Sequence, residues 1–297
     1  MQEKIWEVIS KDLQKDGKAV RKETLFEKVW NVLWPLAIYI FAQNAAMLLL
    51  GWTKIPILAI LAAALVCIPV YYRMCENDRL KAREKKRTIP MESKDVLAIV
   101  ISGATLALAM NNIIAITPLP RLFPGYEKTN DVIYGAGQML QILSAGIFGC
   151  VVEELSMRGV VYLRMKRYWG RKTAMICSAF VFGAYHFNVV QMVYAFVLGL
   201  LFAWLYERFD TLWAPIVGHM SANLFILLLS TSKTFEKVVG SWVGFCLVTC
   251  VSLIIFQYVW RWMKATDPGI ELQFVEKEPD TLEQLTREYK PQDTEEE

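Results

Sequence analysis

The stretch GCVVEELSMRGVVYL, residues 149–163, places Glu153, Glu154 and Arg158 inside an otherwise apolar run. An ionisable side chain at the centre of a membrane helix costs roughly 3 kcal/mol or more, and it normally faces the protein interior or a wet cavity. If this run crosses a bilayer, the three charged side chains must belong to a polar site inside the protein. The interpretation of the chain therefore depends on whether the run is a transmembrane helix.

The composition is typical of a polytopic membrane protein. Of the 297 residues, 55% are hydrophobic, and the mean hydropathy is positive, which is unusual for a soluble domain of this length. A bilayer core of ~30 Å requires about 20 helical residues. The segments that meet or nearly meet this length are 29–50, 55–72, 96–116, 134–163, 173–190, 191–206, 212–229 and 238–263. The sequence predicts an all-α membrane protein, a polytopic bundle of about eight transmembrane helices with a polar intramembrane cavity.

The distribution of basic residues predicts the orientation in the membrane. Seven Lys and Arg residues lie in the first 28 positions, eight in 73–94 and five in 164–172. Eight spans would place all three segments and both termini on one side, which the positive-inside rule identifies as the cytoplasm. We therefore expect a multi-pass protein of the cell membrane, in contact with the lipid bilayer and with both termini cytoplasmic. Because the bases lie in short loops between apolar runs, no nucleic-acid partner is expected.

The chain divides into three predicted regions. Residues 1–28 are predicted to form a cytoplasmic amphipathic N-terminal segment, 29–263 the transmembrane helical domain, and 264–297 an acidic, mostly disordered cytoplasmic tail. The tail carries eleven acidic and four basic residues, a net charge of −7, so the rest of the chain carries +10 of the overall +3. The pattern gives no indication of an oligomeric state.

Polar residues of three predicted spans are expected to lie at a similar depth. At ~1.5 Å per residue, Glu153 lies about 16 Å from the cytoplasmic end of its helix, His186 roughly 21 Å and His219 roughly 14 Å. Asn223 follows His219 by one helical turn. His186 and His219 are the only two histidines of the chain, and both fall within predicted spans. This agreement predicts one shared polar site.

Helical spacing predicts how the polar residues pair. Glu154 and Arg158 are four positions apart, so they lie on one face and can form an ion pair. Glu153 points about 100° away and lacks that partner, which suits it to act as a general base. His219 and Asn223 are again four apart and present two hydrogen-bond donors that could stabilise an oxyanion. The alternative is purely structural, with an ion pair and interhelical histidine hydrogen bonds. Phe182, which precedes His186 by four positions, is interpreted as a packing residue.

Three motifs in order carry a resemblance to a known family. EELSMRG (153–159), FGAYH (182–186) and APIVGHMSANL (214–224) resemble the EExxxR, FxxxH and HxxxN motifs of the CAAX-protease and bacteriocin-processing family, also called the type II CAAX prenyl endopeptidase or Abi family. The resemblance covers about residues 144–229. It implies a membrane-embedded α-helical endopeptidase whose cavity opens to the cytoplasm. It also implies a membrane-associated protein or peptide precursor as the substrate.

The same resemblance implies six site residues, which are Glu153, Glu154, Arg158, His186, His219 and Asn223. Glu153 and His186 would activate the attacking water, with Glu154 and Arg158 supporting Glu153. His219 and Asn223 would bind the oxyanion. No cofactor is expected, because the chain has no HExxH motif. The family is often labelled a metalloprotease, and the alternative is a zinc ion held by Glu153, His186 and His219 with an open position.

Two other classes of function remain open from the sequence. The first is a non-catalytic membrane regulator or bacteriocin-immunity-type protein on the same scaffold, which would keep its function without Glu153. The second is a proton- or solute-coupled transporter, since transporters also place Glu, His and Arg at mid-depth. The transporter is less favoured, because neither an inverted repeat nor a pair of broken helices is evident.

Overall fold

The structure is a computed structural model that describes residues 23–82, 91–123 and 125–267. Every regular element in these ranges is helical, which confirms the predicted all-α class. The helices are α1 (Leu25–Leu50), α2 (Pro56–Ala82), α3 (Ser93–Ala115), α4 (Leu119–Leu122), α5 (Gly125–Tyr134), α6 (Gln138–Trp169), α7 (Arg171–Ala184), α8 (Val189–Phe209), α9 (Trp213–Ser230), α10 (Lys233–Val239) and α11 (Trp242–Ala265). Most of the predicted N-terminal segment and of the acidic tail lies outside the described residues, so both assignments stay predictions.

Within the described ranges, seven helices are long and apolar enough to cross a membrane, namely α1, α2, α3, α6, α8, α9 and α11. The protein is therefore a multi-pass membrane protein. The predicted span 173–190 differs from the others, because α7 has only 14 residues. Its length of about 21 Å falls short of the ~30 Å hydrocarbon core.

α7 ends early because the chain turns before α8. Phe187 has a positive φ of 51°, which no helix tolerates. Asn188 then caps α8, and its Oδ1 accepts hydrogen bonds from the amides of Val190 at 2.9 Å and Gln191 at 3.2 Å. The predicted boundary between these two spans, at 190/191, was therefore a few residues too late.

α7 and α8 form an antiparallel hairpin. The hairpin is tight at Gly183, where an added Cβ would press on the carbonyl oxygen of Met192, and at Gly199, where it would press on Ala179. Each of these contacts joins a residue before the turn at 185–188 to one after it. Because an antiparallel hairpin returns to the side where it begins, the shortness of α7 leaves the predicted alternation of the other helices unchanged.

α6 alternates between two kinds of helix. Gln138–Gln141, Gly149–Ser156 and Leu163–Trp169 are α-helical, while Ile142–Phe148 and Met157–Tyr162 are π-helical. The amide of Gly149 donates to the carbonyl of Ser144, five residues earlier. π turns are rare and occur often at functional sites. In α6 they flank the α-helical segment that carries both glutamates.

Arg164 joins α6 to α1 and α2. Pro35 within α1 has no amide hydrogen, so the carbonyl of Asn31 loses its helical donor. The Nη1 of Arg164 donates to that carbonyl at 2.5 Å, and its Nε donates to Oδ2 of Asp78 in α2 at 2.6 Å. The side chains of Arg164 and Asp78 are only 13% and 5% exposed. One largely buried cation therefore holds three helices together at the end where the basic segments cluster.

Candidate active site

Glu154 is the centre of the polar cluster. Its side chain is fully buried, and its Oε1 accepts hydrogen bonds from Nη1 of Arg158 at 2.9 Å and from Nδ1 of His219 at 2.8 Å. Arg158, also fully buried, donates through Nη2 to the carbonyl of Gly199 at 2.9 Å. The predicted Glu154–Arg158 pair is confirmed. The cluster connects α6 with α8 and α9.

Two phenylalanine rings enclose the cations of this cluster. The guanidinium of Arg158 lies 4.7 Å from the ring centre of Phe182 and 5.4 Å from that of Phe202. Phe202 also stacks on His219 at 4.9 Å, whereas Phe182 meets His219 edge-on at 5.6 Å and His186 at 5.1 Å. Such contacts favour a cation over a ring face. Phe182 packs, as expected, and it also brings the two histidines to either side of one ring.

Glu153 occupies a different environment from its neighbour. Its side chain is 21% exposed, and its Oε2 lies 3.8 Å from Nε2 of His219. That separation is too long for a hydrogen bond. It leaves room for a small polar group to contact both atoms. Of the two adjacent glutamates, only Glu153 is therefore accessible to a reactant.

One ring nitrogen of His186 is bound to the backbone of α7, and the other is not. Its Nδ1 lies 2.8 Å from the carbonyl oxygen of Phe182. Because a carbonyl oxygen only accepts, the proton resides on Nδ1 and Nε2 is left as an acceptor. Among the described residues, no hydrogen bond or ion pair joins His186 to Glu153. The structure thus places both residues around the same cluster without direct contact between them.

Asn223 lies one turn from His219 on α9. Its Nδ2 donates to the carbonyl of Ala145 at 2.9 Å and lies 3.4 Å from Sγ of Cys150. Both partners belong to α6, so Asn223 is fixed against the first π-helical segment and the turn that follows it. Both hydrogens of its amide nitrogen therefore have acceptors in α6, one of them a thiol, which is a weak acceptor.

The alternative zinc ligands are not gathered around one point. In the part of the chain that the structure describes, no three His, Cys, Asp or Glu side chains are placed so that they could hold a metal ion. Each histidine has a partner at Nδ1, so it could ligate a metal only through Nε2, and the side chains of Glu153, His186 and His219 do not converge as a ligand set. The donor arrangement does not fit a resident zinc ion without rearrangement, and the expectation of no cofactor stays a prediction.

The fold and the site define a polytopic α-helical membrane protein with a buried carboxylate–arginine–histidine cluster. Residues 135–225 match the family model described as "Type II CAAX prenyl endopeptidase Rce1-like", and this region contains all three motifs. The predicted resemblance to the CAAX-protease family is thereby confirmed over this region.

One curated relative extends the similarity beyond the motifs. It is described as "Putative membrane peptidase YdiL" of Bacillus subtilis (strain 168), and the two proteins are 26% identical over 157 residues. The alignment covers 48% of this chain, and the chain spans 64% of the length of the relative. No solved structure matches the chain.

Proposed function

We propose that this protein is an intramembrane endopeptidase that hydrolyses a peptide bond of a membrane-associated protein or peptide precursor, without a metal. The observation that carries the proposal is the contrast between a partly exposed Glu153 and a fully buried Glu154 bound to Arg158 and His219. Buried charges must be paired to be tolerated. With His219 protonated, the four groups sum to zero charge. The cluster can then include the partly exposed carboxylate of Glu153 without burying a net charge.

In the proposed reaction, Glu153 is the general base. Its carboxylate takes a proton from a water molecule, and the water oxygen attacks the carbonyl carbon of the substrate. The Nε2 of His186 accepts the second hydrogen bond of the water and orients it. When the tetrahedral intermediate collapses, Glu153 returns the proton to the leaving amine. A positioned general acid–base typically accelerates such a reaction by about 10²–10⁴-fold.

His219 and Asn223 stabilise the charge that develops on the substrate oxygen. The imidazolium of His219 donates from Nδ1 to Glu154, which fixes the ring, and Nε2–H faces the substrate. The second donor is the Nδ2–H of Asn223 that donates to Sγ of Cys150, a weak acceptor that a substrate oxygen can replace. Donors that are already oriented are effective because they need no reorganisation during the reaction. Glu154 and Arg158 act by positioning His219 and do not touch the substrate.

The test is the loss of cleavage on Glu153→Gln, which removes the base and preserves the shape of the side chain. Membrane peptides from cells that express the wild type or the variant are compared by mass spectrometry, beside thermal stability of both proteins in detergent. We expect cleavage to fall about 10²–10⁴-fold at unchanged stability. Glu236→Gln, an exposed acid in α10, is the matched control and should cleave normally. Identical peptides from wild type and Glu153→Gln would favour the non-catalytic regulator.

A further inference from the structure

A cavity of about 110 Å³ lies directly beside the cluster, between α3, α5, α6, α8 and α9. None of the residues that line it carries a formal charge. Its polar lining comes from asparagine, glutamine and tyrosine side chains, and the remainder is aliphatic. Asn111, Asn130, Gln191 and Asn223 supply the amide groups.

The cavity adjoins the proposed reaction centre at Asn223. This residue lines it, as does Ala145, whose carbonyl accepts the hydrogen bond from Asn223. Tyr194 of α8 also lines it, together with Tyr126 and Tyr134 of α5. A group inside the cavity therefore lies next to a proposed oxyanion donor.

Its size limits what the cavity can hold. An engineered cavity of about 150 Å³ accommodates benzene, so a cavity of about 110 Å³ holds a single side chain up to roughly the size of leucine. A charged side chain would lose its hydration without gaining a counter-ion, which costs several kcal/mol. A neutral amide or hydroxyl could instead pair with Gln191 or Asn111, and a methyl group could pack against Leu227.

We propose that this cavity is a substrate subsite that receives one uncharged, small to medium-sized side chain beside the scissile bond. The inference rests on the proposed protease function and adds the substrate class. The substrate carries an uncharged residue at this position, because a charged side chain would meet no counter-ion among the residues that line the cavity.

Two variants alter the subsite in different ways. Leu227→Ala enlarges it, because Leu227 is a buried lining residue, whereas Leu228→Ala is the matched control on the exposed side of the same helix, where Leu228 is 53% exposed. Gln191→Met removes an amide group and keeps the shape of the side chain. It also provides a second test if Leu227→Ala fails to fold.

The experiment uses the purified full-length chain in detergent and a mixture of random peptides with acetylated N-termini and amidated C-termini. Cleavage sites are mapped by mass spectrometry. For the wild type we expect one position beside the cleaved bond to disfavour charged and aromatic residues by about tenfold or more. Leu227→Ala should admit aromatic residues there, Gln191→Met should lose preference for polar ones, and Leu228→Ala should match the wild type.

The outcomes separate the two proposals. If Glu153→Gln abolishes cleavage while Leu227→Ala and Gln191→Met keep the wild-type residue preference, the subsite is wrong and the protease proposal stands. Equal acceptance of charged and neutral residues by the wild type also overturns the subsite. If every peptide that the wild type cleaves is also cleaved by Glu153→Gln, both proposals fail.

Discussion

At the scale of single residues, two adjacent glutamates acquire opposite roles through helix geometry. Successive residues of a helix point about 100° apart. Glu154 therefore faces α8 and α9 and is fully buried, while Glu153 keeps 21% of its side chain exposed. Glu154 binds Arg158 and His219, whereas Glu153 remains free to react. Chemical identity alone would not distinguish them.

Glu154→Gln should cost stability as well as activity. The substitution leaves Arg158 and His219 without their shared anion in a buried site, and removal of one partner of a buried ion pair costs about 3–5 kcal/mol. Adding Arg158→Gln should recover part of this loss and no activity. Thermal unfolding in detergent, measured beside the cleavage rate, checks both statements. A Glu154→Gln protein that is stable and inactive, next to a Glu153→Gln protein that cleaves normally, would reverse the roles assigned here.

We also predict that cleavage by this protein requires no metal ion. Because no three metal-ligating side chains converge among the described residues, we expect the purified protein to contain less than stoichiometric zinc. Its cleavage rate should survive chelators, and elemental analysis and activity after chelation are the measurements. One tightly bound zinc per chain, lost together with activity and restored by re-addition, would make Glu153, His186 and His219 ligands instead.

At the scale of helices, apolar length predicted most of the fold and missed one boundary. The segment 173–190 is apolar almost throughout, so hydropathy continues through the turn at 185–188 that ends α7. The turn depends on the positive φ of Phe187 and the cap at Asn188, which are local backbone properties. An asparagine between two apolar runs is a capping signal, and it would have placed the boundary correctly.

The junction around Arg164 allows a test of how a proline shapes helix packing. Arg164→Gln should destabilise the protein by about 3 kcal/mol, because it leaves Asp78 buried and unpaired and the carbonyl of Asn31 without a donor. Pro35→Ala restores an amide hydrogen that can satisfy this carbonyl within α1. In the Pro35→Ala background, the cost of Arg164→Gln should fall by about 1 kcal/mol.

The measurement for this junction is a double-mutant cycle on thermal stability in detergent. Such cycles isolate the coupling between residues that share a partner. Pro35→Ala and Arg164→Gln share the Asn31 carbonyl, so their effects should not add. Strict additivity would show that Arg164 acts through Asp78 alone.

At the scale of the whole molecule, the sequence predicted which polar residues lie near one another, and it could not predict the contacts between them. The depth argument placed Glu153, His186 and His219 in one layer, and the structure brings both histidines against Phe182. The bond between Glu154 and His219 joins residues 65 positions apart, so no local spacing could reveal it. Gln191 and Tyr194, which line the cavity, were not predicted as site residues, because neutral side chains within an apolar run are typical of packing positions. For Gln191, the free-energy cost of burying an amide group in an apolar run is the signal that could have identified it.

The orientation of the molecule in the membrane follows from the helix order together with the basic segments. Lys54 follows the first spanning helix, Lys128 follows the third, and Lys172 follows the return through α6; Lys233 comes after α9, which crosses once the α7–α8 hairpin has returned. All four lysines are exposed. The α7–α8 hairpin preserves this alternation, so Lys172 should be cytoplasmic and the other three external.

Single cysteines at Lys128 and Lys172 test this arrangement with a membrane-impermeant maleimide. Lys128→Cys should react in intact cells, and Lys172→Cys only after permeabilisation. The parent protein is the control, because its own exposed cysteines, Cys177, Cys246 and Cys250, lie on spans or helices of the membrane domain, where an aqueous reagent should react little. Lys54→Cys, at the turn after α1, should behave like Lys128→Cys. Labelling of Lys172→Cys in intact cells would show that the protein has the opposite orientation in the membrane.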